Sequence, residues 1–264
     1  MTGERIVQDT VENPATRIAF SAWDRTTRWF HWINFLCVLA LVGLGLAILN
    51  EKSFGVSADG KVLLKTLHVY VGYVFAINLT WRVIWAFIGG PRARWRALLP
   101  FGNGYIDGLR QQIRSFSRGG APSYVGHNPL GRLMVTTLLL LLMAQAVTGL
   151  VLAGTDLYKP PFGSTIAEWV TNGDAEKLAI LAPGSKDAVD PIAYEEMRNF
   201  RKPFIKTHEF SFYALLVLIL LHITGVVIAE IREKSGLVSA MINGEKMLAE
   251  APIDRIDSAA EEND

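Results

Sequence analysis

Histidine supplies most of the metal-binding chemistry available to this 264-residue chain. Imidazole nitrogens bind zinc, copper or haem iron, and the sequence contains five histidines. The single cysteine, Cys37, excludes an internal disulfide framework, thiolate zinc sites, iron–sulfur clusters and the Cys-x-x-Cys-His attachment of a c-type haem. His208 and His222 are 14 residues apart, which on one helix returns to within about 40° of the same face after a rise of about 21 Å.

The elements that position these histidines follow from hydropathy. The chain is 50% hydrophobic and 19% charged, with a mean hydropathy of +0.26, whereas soluble domains carry about 25% charge. Three segments of membrane-spanning length contain no Asp, Glu, Lys or Arg: Phe30–Leu49, Leu133–Ala153 and Phe210–Ala229. A fourth, Thr66–Ile88, carries only Arg82. We therefore predict an all-α integral membrane four-helix bundle with spans near 27–50, 62–88, 130–153 and 204–230.

Other protein classes fit these segments less well. Four buried helices of a soluble protein would not need three uncharged windows of this length. A cleaved signal peptide is not expected, because residues 1–29 lack an apolar core and the first apolar segment is long enough to span. The net charge of +1 gives no global basic field for binding nucleic acid.

Basic residues predict the orientation. The segment 89–132 contains seven Arg and one acidic residue, Asp107, whereas 154–206 has seven basic and eight acidic residues. The arginine-rich segment marks the cytoplasmic side, so four spans place both termini in the cytoplasm. The predicted organisation is an N-terminal segment 1–26, a bundle 27–230 with a cytoplasmic loop 89–129 and an opposite loop 154–203, and an acidic tail 231–264. We expect a short helix near Ala193–Phe200 and a disordered or loosely attached tail.

The orientation pairs the histidines by depth. His68 and His208 share the outer level, and His31 and His222 share the cytoplasmic level. Each level thus offers two imidazoles from different helices, as six-coordinate haem iron requires, since the porphyrin supplies four further nitrogens. Zinc takes three or four protein ligands, which neither level supplies. Histidines hydrogen-bonded to neighbouring helices remain the alternative.

Small and basic residues on the same helices suit a haem pocket. Glycine lets a flat macrocycle approach the backbone, although close helix packing also favours it. The candidate glycines are Gly45, Gly72, Gly149 and Gly225. Arg82 follows His68 by 14 residues, so it lies at the cytoplasmic level, where it pairs with a haem propionate or snorkels to the interface.

An ordered set of motifs extends from about residue 20 to 235. Its members are Arg28-Trp29-Phe30-His31-Trp32, His68-Val69-Tyr70-Val71-Gly72, Gly126-His127-Asn128-Pro129-Leu130-Gly131, Thr148-Gly149-Leu150, the segment from Gly154 to Gly163, His208-Glu209 and His222-Ile223-Thr224-Gly225. Together they resemble the bacterial di-haem cytochrome b (b561-type) family, in particular the membrane cytochrome b subunits of nickel–iron hydrogenases. The formate dehydrogenase gamma subunits are related.

The resemblance implies two non-covalent b haems in the bacterial inner membrane, with His31, His68, His208 and His222 as axial ligands. It also implies electron transfer between a periplasmic redox partner and the membrane quinone pool. His127 and Asn128 precede the third span on the cytoplasmic side and are candidates for a quinone site. Their alternative role is a turn that caps this helix, which Asn-Pro favours.

The partner stays open at this point. A hydrogenase, a formate dehydrogenase-like enzyme and a multihaem c-type cytochrome would all use the long periplasmic loop 154–206. A free-standing superoxide–quinone oxidoreductase of the same family would need no such docking surface. From another class, a haem-free transporter or assembly protein would carry the histidines as buried polar groups.

Overall fold

A computed structural model describes residues 17–118 and 122–254. Its α-helices are α1 Arg25–Leu49, α2 Ala58–Ile88, α3 Trp95–Leu98, α4 Tyr105–Arg118, α5 Pro129–Leu157, α6 Gly163–Thr171, α7 Ala175–Ile180, α8 Pro191–Glu233 and α9 Leu237–Asn243. Two short strands, β1 Ile18–Ser21 and β2 Glu245–Leu248, complete the described part. Four of the helices, α1, α2, α5 and α8, are long and apolar enough to cross a membrane. The prediction of a helical membrane bundle is confirmed.

Side-chain caps define where the long helices begin. Asp24 accepts a hydrogen bond from the Thr27 backbone N–H at 2.7 Å, and Ser57 accepts one from Gly60 at 3.1 Å. Asp190 accepts from two backbone N–H groups in the first turn of α8, each at 3.0 Å. These bonds satisfy N–H groups that have no partner inside the helix.

The four long helices pack in sequence, α1 on α2, α2 on α5 and α5 on α8. Their shared core contains Phe75 and Leu79 of α2, Leu139 and Leu142 of α5, and Leu215 of α8. Between 6% and 28% of each apolar window is buried inside the bundle, and the rest is half-buried or exposed. An outward apolar surface is what the hydrocarbon of a bilayer solvates.

The segment between α5 and α8 is folded. Ile166 and Val170 of α6 pack with Val189 and with Met197 of α8. Residues 193–200 are helical, but they form the first turns of α8 and not the separate short helix that we expected. α8 continues through Pro203 into its membrane part.

The two ends of the described chain meet. β1 pairs antiparallel with β2, with Ile18 opposite Leu248 and Ser21 opposite Glu245. The Trp32 indole N–H of α1 donates to the Met241 carbonyl of α9 at 2.8 Å. The expectation of a loosely attached tail is therefore wrong for residues 231–254. Residues 255–264 lie outside the described part.

Candidate metal centre

His68 of α2 and His208 of α8 face each other near one end of the bundle. Their ring centres are 6.3 Å apart, and the ring planes are inclined by 68°. Two imidazoles on opposite sides of one metal ion, each with a metal–nitrogen bond of about 2 Å, have ring centres about 6 Å apart. The spacing of this outer pair fits two axial ligands of one metal.

Thr148 of α5 orients the His208 ring. Its hydroxyl oxygen is 2.8 Å from His208 Nδ1 and donates to the Ala144 carbonyl at 2.6 Å. A hydroxyl has one proton, so Thr148 accepts from His208 Nδ1–H. This tautomer leaves the lone pair on Nε2, the atom free to bind a metal. Gln145 Nε2 also donates to the His208 carbonyl at 3.0 Å.

A mostly apolar cavity of about 270 Å³ lies beside this pair, and Gly45, Gly72 and Gly149 line it. A Cβ added at Gly149 would lie 3.4 Å from His208 Cε1, and one at Gly45 would lie 3.7 Å from His68 Cε1. The two glycines therefore sit directly against the imidazoles, where larger side chains would fill the cavity.

The second pair lies towards the other end of the bundle. His31 lies on α1 and His222 on α8. His31 Nδ1 is buried, and the described residues offer it no hydrogen-bond partner. Asn78 donates to the Phe30 carbonyl at 3.1 Å, which fixes α1 against α2 beside His31. Gly225 follows His222 by about one turn, and a Cβ there would meet no described atom within 4 Å.

Arg82 is 4% exposed, so its side chain does not extend into water. Nη1 donates to the Ala93 carbonyl at 3.2 Å, and Cζ lies 5.8 Å from the centre of the Phe30 ring. The guanidinium group has five N–H donors. It is a buried positive charge near the His31 end of α1.

His127 lies just before α5, against Trp23, with ring centres 4.6 Å apart. Burial, reinforced by the positive charge of Lys246, lowers the pKa of His127 to about 3, so the imidazole is neutral at pH 7. Its Nδ1 is buried and has no hydrogen-bond partner in the described ranges. Asn128 caps α5, because its side-chain oxygen accepts from the Gly131 N–H at 2.7 Å.

Two residues of the tail hold the segment that precedes His127. Lys246 is 5% exposed and donates to the carbonyls of Tyr124 at 3.3 Å and Gly126 at 3.1 Å. Asp254 accepts from the N–H groups of Val125 and Gly126, each at 2.7 Å. Burial lowers the pKa of Lys246 to about 8. No local sequence pattern links Lys246 and Asp254 to a segment more than 100 positions away, so neither contact is predictable from the sequence.

Comparison with known proteins identifies the family. The sequence profile of the prokaryotic cytochrome b561 family matches residues 22–244. The chain belongs to this family. The matched range contains all five histidines and the four long helices. Family membership and four spanning helices together make this b561-type cytochrome a multi-pass protein of the bacterial inner membrane, as predicted.

Curated relatives cover most of the b561-type chain. A protein of Rhizobium leguminosarum bv. viciae is 26% identical over 245 residues, 89% of this chain and 92% of its own. One from Rhodobacter capsulatus is 24% identical over 254 residues, 93% of this chain and 88% of its own. One from Azotobacter vinelandii is 25% identical over 248 residues, 90% of this chain and 93% of its own. Each bears the name "Probable Ni/Fe-hydrogenase B-type cytochrome subunit".

A b-type cytochrome carries haem b and transfers electrons, here within the membrane. The outer pair fits this group on three structural grounds: the spacing of the imidazole rings, the free Nε2 of His208 and the apolar cavity with glycines against the rings. Within the described ranges no three His, Cys, Asp or Glu side chains cluster as a metal-binding group. The outer pair offers two imidazoles, a donor set that suits a porphyrin-bound iron.

Proposed function

We propose that this cytochrome is a di-haem subunit that passes electrons across the membrane between a periplasmic hydrogenase-like partner and the quinone pool. His68 and His208 would hold the outer haem, and His31 and His222 the inner one. The facing imidazoles of the outer pair, 6.3 Å apart, carry the proposal. The inner pair is inferred from the 14-residue spacing on α8, which repeats the helix face about 21 Å further along.

The side chains around the ligands explain why such sites would transfer electrons and not activate oxygen. When bound, haem b supplies an iron that takes up and releases one electron. His68 with His208, and His31 with His222, would each hold a haem through two imidazoles, a ligation that favours electron transfer over oxygen chemistry. Thr148 holds the outer imidazole in its metal-binding tautomer, a contact of the kind that fixes metal-bound histidines. Arg82, buried at the inner level, is our candidate partner for a propionate of the inner haem.

The periplasmic side supports a docking role. The segment between α5 and α8 has a small core of its own around Val170 and Met197, both at most 1% exposed. A rigid extension of α8 outside the membrane gives a partner a defined surface next to the outer histidines. The names of the relatives favour a hydrogenase over a c-type cytochrome as that partner. A free-standing superoxide–quinone oxidoreductase would not need this folded segment.

We place quinone near His127 on the cytoplasmic side. The imidazole is neutral at pH 7, because burial and Lys246 lower its pKa to about 3. A neutral imidazole with an unbonded Nδ1 can donate or accept a hydrogen bond at a quinone oxygen. The side-chain oxygen of Asn128 accepts the hydrogen bond that caps α5, so its side-chain N–H groups can donate to a ligand.

Single-ligand variants test the proposal. His68→Ala and His222→Ala are each expected to retain one haem per chain, and the retained haems differ in potential between the two variants. His127→Ala is the matched control, since it should retain both haems and weaken only quinone reduction. Potentiometric titration of the reduced absorption bands reads the result. Loss of both haems from either ligand variant in a correctly inserted protein would overturn the pairing, and loss of haem from His127→Ala would overturn its assignment to quinone.

A further inference from the structure

A three-membered ion cluster joins α2, α5 and α8 at the end of the bundle that carries His68 and His208. The Asp156 carboxylate contacts Lys65 Nζ at 2.5 Å and the Arg201 guanidinium at 2.5 Å. The Asp156 side chain is 13% exposed, and the two basic side chains are each 25% exposed. None of the three is a proposed haem ligand, although Asp156 belongs to the Gly154–Gly163 motif.

The cluster is placed in register with the outer histidines. Lys65 precedes His68 by one helical turn, and Arg201 precedes His208 by two turns on the same face, which corresponds to about 5 Å and about 10 Å along the helices. On α5, Asp156 follows Gly149 by two turns in the same way. On α2, α5 and α8 the residues of the ion cluster therefore lie one or two helical turns from His68, Gly149 and His208, respectively.

The cavity beside the outer histidines is charged at one end and mostly apolar elsewhere. Lys65, Asp156 and Glu209 line it at its periplasmic end. Its remaining lining is apolar except for the two histidines, Tyr73 and Gln145. A haem is likewise a flat apolar ring with two carboxylates on one edge. A ring held by the two imidazoles and turned with that edge outward would meet the ion cluster.

The charges and hydrogen-bond donors of the cluster are not fully paired. Two positive side chains share one carboxylate, so the group of three has a net charge of +1. Arg201 Nε is buried, and the described part of the chain provides no acceptor for it. A buried charged donor without an acceptor is costly. A second carboxylate would satisfy both the charge and this donor.

We propose that Lys65 and Arg201 bind the propionates of the outer haem, and that Asp156 holds the two basic side chains in position. This inference rests on the proposed ligation by His68 and His208. Charge-assisted hydrogen bonds between basic side chains and carboxylates are the strong class. The same residues could instead serve only to fasten three helix ends together. Propionate binding and helix fastening predict different haem potentials and haem-loss rates when the positive side chains and the negative side chain are replaced in separate variants.

The test compares Lys65→Gln/Arg201→Gln, Asp156→Asn and a control, Lys61→Gln. Lys61 lies one turn earlier on α2 and pairs with Glu51 at the surface. Rates of haem transfer to apomyoglobin and the midpoint potentials of both haems are measured on the full-length protein. The double variant should lose one of its two haems at least about tenfold faster. The potential of that haem should fall, because removing nearby positive charge favours the ferric state.

Asp156→Asn should raise the potential of the same haem, since it leaves the two basic side chains uncompensated, and Lys61→Gln should change neither quantity. The inference is overturned if all three cluster substitutions lower thermal stability alike and leave both potentials and haem-loss rates unchanged. A wild-type chain that holds fewer than two haems would instead contradict the proposed function, so the two failures are distinguishable.

Discussion

Thr148→Val removes one hydroxyl and leaves the size of the side chain unchanged. In the native chain this hydroxyl accepts from His208 Nδ1–H at 2.8 Å while donating to the Ala144 carbonyl at 2.6 Å. Thr148 is 5% exposed, so water does not readily replace the lost acceptor. The variant therefore leaves a buried imidazole N–H unpaired and frees the ring to rotate or to change tautomer.

The size of the effect follows from that single bond. An unpaired buried donor costs about 1–3 kcal/mol, which corresponds to roughly 5–150-fold in an equilibrium constant. Removal of a hydrogen bond that orients a metal-bound ligand typically costs about 10–100-fold in metal affinity. We expect Thr148→Val to weaken binding of the outer haem by about one to two orders of magnitude and to leave the inner haem unchanged.

Thr137→Val is the matched control, because Thr137 is a half-buried residue of the same helix whose hydroxyl donates to the Leu133 carbonyl of that helix at 2.9 Å. Haem transfer to apomyoglobin, followed at the absorption maximum of each haem, gives the two loss rates. Thr148→Ser, which keeps the hydroxyl, should lose haem nearly as slowly as wild type. Equal loss rates for Thr148→Val and Thr137→Val, or faster loss of the inner haem, would refute the reasoning.

The other predictions concern the cavity beside the outer histidines and the segment around His127. Gly149→Val should exclude the outer haem, because a Cβ alone would lie 3.4 Å from the His208 ring. The control Gly43→Ala should retain this haem, because a Cβ at Gly43 meets nothing within 4 Å. Equal haem contents of the two variants would contradict the prediction. Lys246→Met should speed amide exchange in residues 124–127, because the native side chain binds the carbonyls of Tyr124 and Gly126. Unchanged exchange would refute the contact. Burial lowers the pKa of His127 from 6.5 to about 3 in the folded chain, so between these pH values the unfolded chain binds a proton that the folded chain does not. The free energy of unfolding should therefore decrease as the pH falls from 6.5 to 3. Thermal melts of His127→Gln should show a smaller decrease over this range.

Hydropathy was sufficient to predict the membrane part of the fold. The predicted span 27–50 corresponds to α1 Arg25–Leu49, and 130–153 lies within α5 Pro129–Leu157. Where helices leave the membrane, this signal disappears. α8 begins at Pro191, where Asp190 caps its first turn, and not at the predicted residue 204. Its first turns carry charged side chains, so hydropathy does not mark them as part of the helix.

Long-range contacts were beyond the reach of sequence patterns. Strands β1 and β2 have four residues each and lie more than 220 positions apart in the chain. Neither has an alternation long enough to predict a strand. The amphipathic helix α4 was read only as a basic loop. The clamp of Lys246 and Asp254 on the His127 segment depends on the same distant pairing.

Some residues of the candidate site can be proposed from the sequence and others cannot. The four histidines of the spans could be chosen as candidates from sequence, because ionisable groups are rare in membrane spans and the helix rise with the predicted topology gives each an expected depth. Thr148 and Gln145 could not, since a hydroxyl or amide in a span bonds as readily to its own helix as to a neighbouring one. The cluster of Lys65, Asp156 and Arg201 needed the relative rotation of three helices, which no single-helix pattern contains.

The most direct test of the central claim is the haem content of the purified full-length protein. Pyridine extraction with a matched protein determination counts haem b per chain, and dithionite reduction gives the b-type absorption bands. Two histidine pairs at two depths predict two haems per chain, with two resolved midpoint potentials. A stoichiometry of one or none in the correctly inserted protein would contradict the account.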